Sequence, residues 1–286
     1  MSDGMNDDVN FTPGVQARVV LDSIGSHAPR LTTIEVTLHR FVLPEFNTHR
    51  VFSRNSASSR AIPFHKQVRR VMDYPAVPIS FPAEQRGMQG GEEVAYRQEA
   101  ERKWLEARDN AVHAAKMLSQ FYGVHKSVAN RLLEPFMWHT IIVTATEWDG
   151  FWAQRCSPLA QPEIRVAAEA MRKAYEESTP TQVLSHTPYI TREDREDVWR
   201  LPADYGTSQS VLRRVSAARC ARVSYLTHDG QRDLTQDLSL YDRLVSARPL
   251  HASPLEHVAR PMAPGESQRG NLIGWRQMRH DVEDRS

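Results

Sequence analysis

Thr48-His49-Arg50-Val51-Phe52-Ser53-Arg54-Asn55-Ser56-Ala57-Ser58-Ser59-Arg60 puts three arginines, a histidine and several hydroxyls into thirteen residues. Guanidinium groups give planar, bidentate donation to a phosphate or a pyrimidine carbonyl. Serine hydroxyls and exposed backbone N–H groups add short donors, as in anion-binding loops. A solvated basic loop is the competing reading, since charge runs commonly face water. Across the whole chain 36 Lys+Arg meet 35 Asp+Glu, a net charge of +1, so there is no global electrostatic case for nucleic acid. A phosphate ligand would have to be held by local arginines such as these.

Outward from this stretch the chain reads as mixed helix and strand. Residues 16–23 and 30–43 read as strands, the second with Leu31, Ile34, Val36 and Leu38 among Thr, Glu and His, and with Pro44 ending the run. The stretch 47–60 is too polar for a core element, and 77–91 is a Pro- and Gly-rich loop. Over 92–122, Ala100, Trp104, Ala107, Ala111, Ala114, Leu118 and Phe121 recur at spacings of three and four, one face of a helix that Gly123 is placed to end. Residues 126–134 suggest a short helix, 143–155 an apolar and aromatic one, and 162–177 one with Pro162 in its first turn. Residues 181–208 are irregular, 216–226 are rich in Ala and Val, and 234–246 are an amphipathic helix. The end, 270–280, is apolar and basic together.

The 286 residues suit one large domain, and no composition shift divides them. Residues 1–13 are read as a disordered tail and 14–286 as a single domain. Hydrophobic residues at 40% and charged residues at 25% suit a soluble globular protein. Cys156 and Cys220 form no disulfide framework and no zinc-ligand spacing, which fits a reducing cytoplasm. No apolar run approaches the roughly 18 residues of a membrane span. The polar, acidic N-terminus lacks the pattern of a signal peptide.

Several segments then line up together. His49-Arg50 is followed by seven residues and Ser58, with Arg60 two further on. Arg155 is followed after four residues by Ala160-Gln161-Pro162-Glu163-Ile164-Arg165. Arg131-Leu132-Leu133-Glu134-Pro135, Ala221-Arg222-Val223-Ser224 and His251-Ala252-Ser253-Pro254-Leu255-Glu256-His257 complete the set. In order, these resemble the Arg-His-Arg-x7-Ser-Gly-Arg, Arg-x4-Ala-Gln-x-Glu-Ile-Arg, Arg-x-x-Leu-Pro, Ala-Arg-Val-Ser and His-x-Ser/Thr-Pro-x-Glu-His motifs of flavin-dependent thymidylate synthases. In that family the last two motifs precede the first. Circular permutation accounts for the order, since chains re-cut readily where termini are close at the surface. Arg276-Gln277-Met278-Arg279-His280 resembles the Arg-Gln-x-x-Arg-His that opens the family signature, so Gln277 and Arg279 are candidates for the glutamine and arginine lacking around Thr48. Thr48 stands for an arginine, Ser56 for a glutamate and Ser59 for a glycine, so substrate choice or the group transferred could differ.

The resemblance implies an α+β fold, a mainly antiparallel sheet with several long helices, in a homotetramer whose sites lie between subunits. It implies methylation at C5 of dUMP or a related pyrimidine nucleotide. Methylenetetrahydrofolate would give the carbon, and FAD reduced by NADPH the electrons. Arg60, Arg131, Arg155 and Gln277 would hold the nucleotide and Ser58 its phosphate or ring, with Ser58, Arg60 and Arg155 catalytic. His49, Arg50, Ser224, His251, Ser253 and Arg279 would contact FAD, and no metal is implied. A paralogue that hydroxymethylates its nucleotide or accepts dCMP, and a nucleotide- or flavin-binding protein without catalysis, are the competing classes. From the residues alone, Arg131 and Arg155 read first as structural ion-pair partners of Glu134 and Glu163. His251 and His257 flank Glu256 and suit a hydrogen-bonded turn. Trp148, Phe151 and Trp152 read as helix core, and Cys156 as a small buried side chain rather than a nucleophile.

Overall fold

A computed structural model describes residues 13–56, 58–222 and 233–285. The tail expected over 1–13 therefore lies, Pro13 apart, outside the described residues. β-branched and apolar residues at alternate positions build the sheet, because they fit a pleated surface. β1 (Gln16–Ile24) and β2 (Leu31–His39) pair antiparallel from Gln16↔Thr37 to Ser23↔Leu31. β3 (Ser53–Ser56) and β4 (Trp138–Ala145) extend the sheet antiparallel, and β5 (Thr181–Gln182) adds a parallel edge, giving the order β3-β4-β2-β1-β5. β6 (Ala259–Pro261) and β7 (Trp275–Gln277) form a separate antiparallel pair. The class is α+β with a mainly antiparallel sheet, as expected.

In chain order the helices are α1 (Leu43–Asn47), α2 (Phe64–Asp73), α3 (Arg97–Lys116), α4 (Lys126–Ala129) and α5 (Asp149–Arg155). Then come α6 (Pro162–Glu177), α7 (Arg192–Asp197), α8 (Ser208–Arg222), α9 (Leu234–Ser246) and α10 (Met278–Glu283). α6 begins at Pro162, whose missing N–H costs nothing in a first turn, and Ile164, Ala167, Ala168 and Met171 form its buried stripe.

The two faces of the sheet differ in chemistry. On one, Ile34, Val36, Leu38, Ile141 and Val143 pack against the stripe of α6 and against Trp148, Phe151 and Trp152, which are core as read from sequence. The other carries threonines and is closed by hydrogen bonds. Ser23 Oγ lies 2.8 Å from His186 Nδ1, His186 Nε2 2.7 Å from Thr33 Oγ1, Thr33 Oγ1 2.6 Å from Thr144 Oγ1, and Thr144 Oγ1 2.8 Å from His257 Nδ1. His186 and His257 are fully buried, and burial pushes both imidazoles down to about 3, so they are neutral. This file docks the C-terminal part of the chain on the sheet.

Several expected elements shift. Residues 143–145 belong to β4 rather than to a helix over 143–155, which starts only at Asp149. The run Thr140 to Thr144 is β-branched throughout and buried as a central strand between β2 and β3. β2 stops at His39, and Pro44 opens α1 instead of merely ending a strand. The polar stretch 47–60 contains β3, whose hydroxyl and charged side chains suit a sheet edge. Within 181–208, β5 and α7 are regular, α7 being closed by a Thr191–Asp194 capping box.

Candidate functional site

The residues singled out in the sequence fall into three groups around β3. The first is formed where α1 ends in a turn, with Thr48 N and His49 N donating to Glu45 O and Phe46 O. The His49 ring meets Phe151 edge-on at 4.9 Å. Arg155, the last residue of α5, donates Nε–H to His49 Nε2 at 2.9 Å and Nη2–H to Thr48 Oγ1 at 3.0 Å and Glu45 O at 3.1 Å. Burial first, then the Arg155 and Arg54 guanidinium groups, push His49 down to about 4. Its neutral ring can therefore present Nε2 as the acceptor that Arg155 uses. Glu163 is not the partner of Arg155; it is buried and accepts the Ile79 N–H at 2.7 Å.

Arg155 and Glu45 line a cavity of about 910 Å³ between residues 78–94 and the connection from α5 to α6, with Phe81, Met88, Trp104 and Leu159 in its apolar walls. Glu45 Oε2 is a buried acceptor without a hydrogen-bond partner among the described residues. An apolar cleft of several hundred Å³ with a few convergent polar groups is how organic ligands are held. The role of residues 78–94 as a wall was not legible in their Pro- and Gly-rich composition.

The second group follows β3. Ala61 N donates to Ser58 O at 2.9 Å, and Arg60 N to Ser58 Oγ at 3.3 Å, forming a turn whose Ser58 and Arg60 are exposed. Three side chains from 126–134 hold it. Lys126 Nζ donates to Ala61 O at 2.8 Å, and Asn130 Nδ2 donates to Ser59 O at 2.7 Å and Ile62 O at 3.1 Å. Glu134 Oε1 accepts the Ser59 hydroxyl at 2.7 Å, and also Arg131 at 2.8 Å and Arg40 at 3.3 Å. Arg40 reaches on to His139 Nε2 at 3.1 Å, and burial with the Arg40 charge pushes His139 down to about 3. The ion-pair reading of Arg131 thus holds, while that of Arg155 does not. Nothing in the sequence singled out Lys126 or Asn130, and Glu134 stood out only as a partner of Arg131, although a spacing of four joins the three along a helical segment.

The third group lies on the threonine-bearing face. Gln277 is buried and donates Nε2–H to Ser53 Oγ at 2.8 Å, Glu256 O at 3.0 Å and Asn271 Oδ1 at 3.2 Å. Ser253 Oγ contacts Asn55 Oδ1 at 3.4 Å. The C-terminal motifs therefore pack on the strand inside the 48–60 stretch, although Gln277 arrives at Ser53 rather than Thr48. Arg279 is paired with Glu256 at 2.5 Å and Glu283 at 2.7 Å. The expected hydrogen-bonded turn is present at His257, whose backbone N–H donates to Pro254 O at 3.4 Å, while its buried ring hydrogen-bonds Thr144 on the sheet. Arg50 and His251 are exposed. Ser224 lies outside the described residues; before it, Arg222 pairs with Asp237. Burial pushes the Cys156 thiol up, so it stays protonated and a poor nucleophile. Among the described residues no cluster of His, Cys, Asp or Glu could hold a metal ion, and no helix is long and apolar enough to cross a membrane.

A family model described as thymidylate synthase complementing protein matches residues 27–181. That span holds the 48–60 stretch, the Arg131 segment and the Arg155 segment, while the motifs at 221–257 and 276–280 lie beyond it. No curated protein matches the chain. Among solved structures, the chain is similar to the crystal structure of a UMP/dUMP methylase PolB from Streptomyces cacaoi bound with 5-Br UMP. The identity is 15%, the TM-score 0.43, and the match covers 58% of this chain and 90% of that one.

Proposed function

We propose, from the premise that the chain belongs to the thymidylate synthase complementing protein family, the flavin-dependent thymidylate synthases, that it transfers a one-carbon unit from methylenetetrahydrofolate to C5 of dUMP. The observation that carries the reading is the junction of Arg155, His49 and Thr48 at the edge of a large cavity. A flavin fits the residues present. The cavity has apolar walls for a fused ring, and the orphaned Glu45 Oε2 suits a ring N–H. FAD, reduced by NADPH, would supply the electrons for converting the transferred carbon to a methyl group.

The chain's own residues then act by position and charge. C5 of uracil becomes nucleophilic as negative charge collects on the N3–C4 carbonyl side of the ring. A guanidinium fixed by three bonds, as Arg155 is, can stabilise that charge without reorganising. His49 has no proton on Nε2 to compete, and so orients Arg155 rather than repelling it. Ser58, Arg60 and Arg131 are exposed in a separate group and serve the nucleotide's phosphate and sugar. Because they stand apart from the Arg155 junction, a homotetramer in which two chains complete one site accounts for both groups. Gln277 and Ser253 approach the same strand from the C-terminal part and, with His49, Arg50, Ser224, His251 and Arg279, are assigned to flavin or nucleotide. Two free cysteines suit a reducing compartment such as the cytoplasm.

A second reading has a specific basis. Thr48, in place of an arginine, takes a bond from Arg155 and diverts it from substrate. That favours a paralogue acting on another pyrimidine or transferring a hydroxymethyl group. The test is the absorbance spectrum after FAD addition and desalting, then anaerobic NADPH with and without dUMP, then product mass with dUMP and dCMP. Retained flavin, bleaching accelerated by dUMP and a gain of one methyl group are expected. Turnover of dCMP alone, or a hydroxymethyl mass, would select the paralogue; no flavin and no NADPH oxidation would remove the enzyme reading.

A further inference from the structure

Ser59 and Glu134 stand where the motif patterns have glycine and leucine, and they are bonded to each other at 2.7 Å across 75 positions. The bond needs both departures at once, since glycine has no hydroxyl and leucine no acceptor. The same carboxylate oxygen holds Arg131 at 2.8 Å and Arg40 at 3.3 Å. Asn130 and Lys126 independently fix the backbone of the turn at Ser59, Ile62 and Ala61. The turn is thus anchored without Glu134, whose bonds add two things: an orientation for the Ser59 side chain and a counter-charge for Arg131.

We propose that Glu134 is a positioning residue that, held itself by Ser59 of the substrate turn, latches Arg131 until an anionic nucleotide takes its place. The inference rests on the proposed function, which gives Arg131 to the nucleotide. Arg131 is half exposed, at 51%, while Glu134 is at 21%, so the arginine is the partner free to swing. While the pair is closed, the carboxylate neutralises the charge a phosphate would seek. A phosphate monoester accepting the Arg131 N–H groups replaces one charged partner with another and leaves Glu134 to Ser59 and Arg40. Arg40 keeps its bond to His139 throughout. The device makes binding depend on the phosphate rather than on the base, and sets nucleotide affinity below what the arginine alone would give.

The test is calorimetric titration of the full chain, supplied with FAD at low salt, with dUMP and with deoxyuridine. Glu134→Gln keeps an acceptor for Ser59 and removes the charge. Its dUMP affinity is expected to rise about two- to fivefold, the worth of a half-exposed ion pair, with deoxyuridine unaffected. In an Arg131→Ala background the gain should vanish. Ser59→Ala keeps the ion pair and its charge and cuts only the hydroxyl bond, so its dUMP affinity should stay within about twofold of the parent's. Unchanged or weaker dUMP binding by Glu134→Gln, an equal gain for deoxyuridine, a gain that survives Arg131→Ala, or the same gain in Ser59→Ala would overturn the latch while parent binding of dUMP left the proposed function standing. A parent that binds no dUMP would overturn both.

Discussion

Replacing His257 by asparagine should make the protein less stable in mild alkali and relatively more stable in mild acid. In the parent, the ring hydrogen-bonds Thr144 through Nδ1 at 2.8 Å, and its Nε2 has no partner among the described residues. Burial pushes it from 6.5 to about 3. The folded pKa is depressed, so the unfolded chain takes up the proton first. The stability the neutral ring contributes is complete above about pH 6.5 and is lost as pH falls through the window toward 3. From about pH 8 to about pH 4.5 the loss is two decades of proton affinity, about 3 kcal/mol for this one group. That is a large share of a typical net stability of about 5–15 kcal/mol. Asparagine can still reach Thr144 with an amide but leaves part of the ring's volume empty, costing about 1–2 kcal/mol at any pH. The two urea-unfolding free energies plotted against pH should therefore cross. His139, at about 3, and His49, at about 4, titrate in the same window in both proteins and cancel in the comparison, whereas His186 loses the part of its depression that His257 causes and keeps the larger part that burial causes. Glu266, held down to about 2 by Arg260 and the Ala263 N–H, gives way only at lower pH. Protein concentration must be matched, because subunit association would add to stability. Parallel curves, with no crossing, would refute the claim that His257 is buried neutral.

Arg155→Lys should lower NADPH-dependent turnover of dUMP by about 10²-fold or more, since an ammonium cannot bridge His49, Thr48 and Glu45 as a planar fork does; turnover within twofold or so of the parent would remove Arg155 from the chemistry. Gln277→Ala leaves Ser53 and the Glu256 carbonyl short of a donor and should cost about 1–3 kcal/mol, with weaker flavin and nucleotide retention in a desalting assay. Arg279→Ala breaks half-exposed ion pairs and should cost less than about 1 kcal/mol, so equal effects from the two would contradict the placement of Gln277. Gly270→Ala should lower Tm clearly, because Gly270 has φ +76 and an added Cβ would stand 2.3 Å from Gln277 Oε1; a neutral result would mean this contact is not held in solution.

What the sequence disclosed follows the range of the forces involved. α9 matches its expected bounds because its start is local, with Asp233 accepting from Thr235 N and Gln236 N, and its apolar stripe recurs at helical period. α6 does so because Pro162 and its buried stripe are equally local. β4 was hidden because a strand buried on both faces lacks a clean polar–apolar alternation, its Ile141-Ile142-Val143 core running straight on, and only its neighbours β2 and β3 decide that it is a strand. β3 was hidden for the opposite reason, its side chains being those of a loop while its backbone satisfies an edge. The contact of His49 with Arg155 spans 106 positions and could be anticipated only through the motifs. The Ser59–Glu134 bond could not, since it joins two positions where the chain leaves the pattern.

The central place of β4 has a consequence for biosynthesis. Thr33 and Thr144 face each other across β2 and β4 from 111 positions apart. During translation β1 and β2 can form their hairpin early, but the open edge of β2, with Ile34, Val36 and Leu38, then waits for more than a hundred further residues. Such an edge is a template for pairing with another nascent chain, and long-range strand closure is slow. Yield of the native protein should then be governed by elongation speed and temperature, with slower synthesis and chaperones that shield strand edges favouring the soluble product over inclusion bodies.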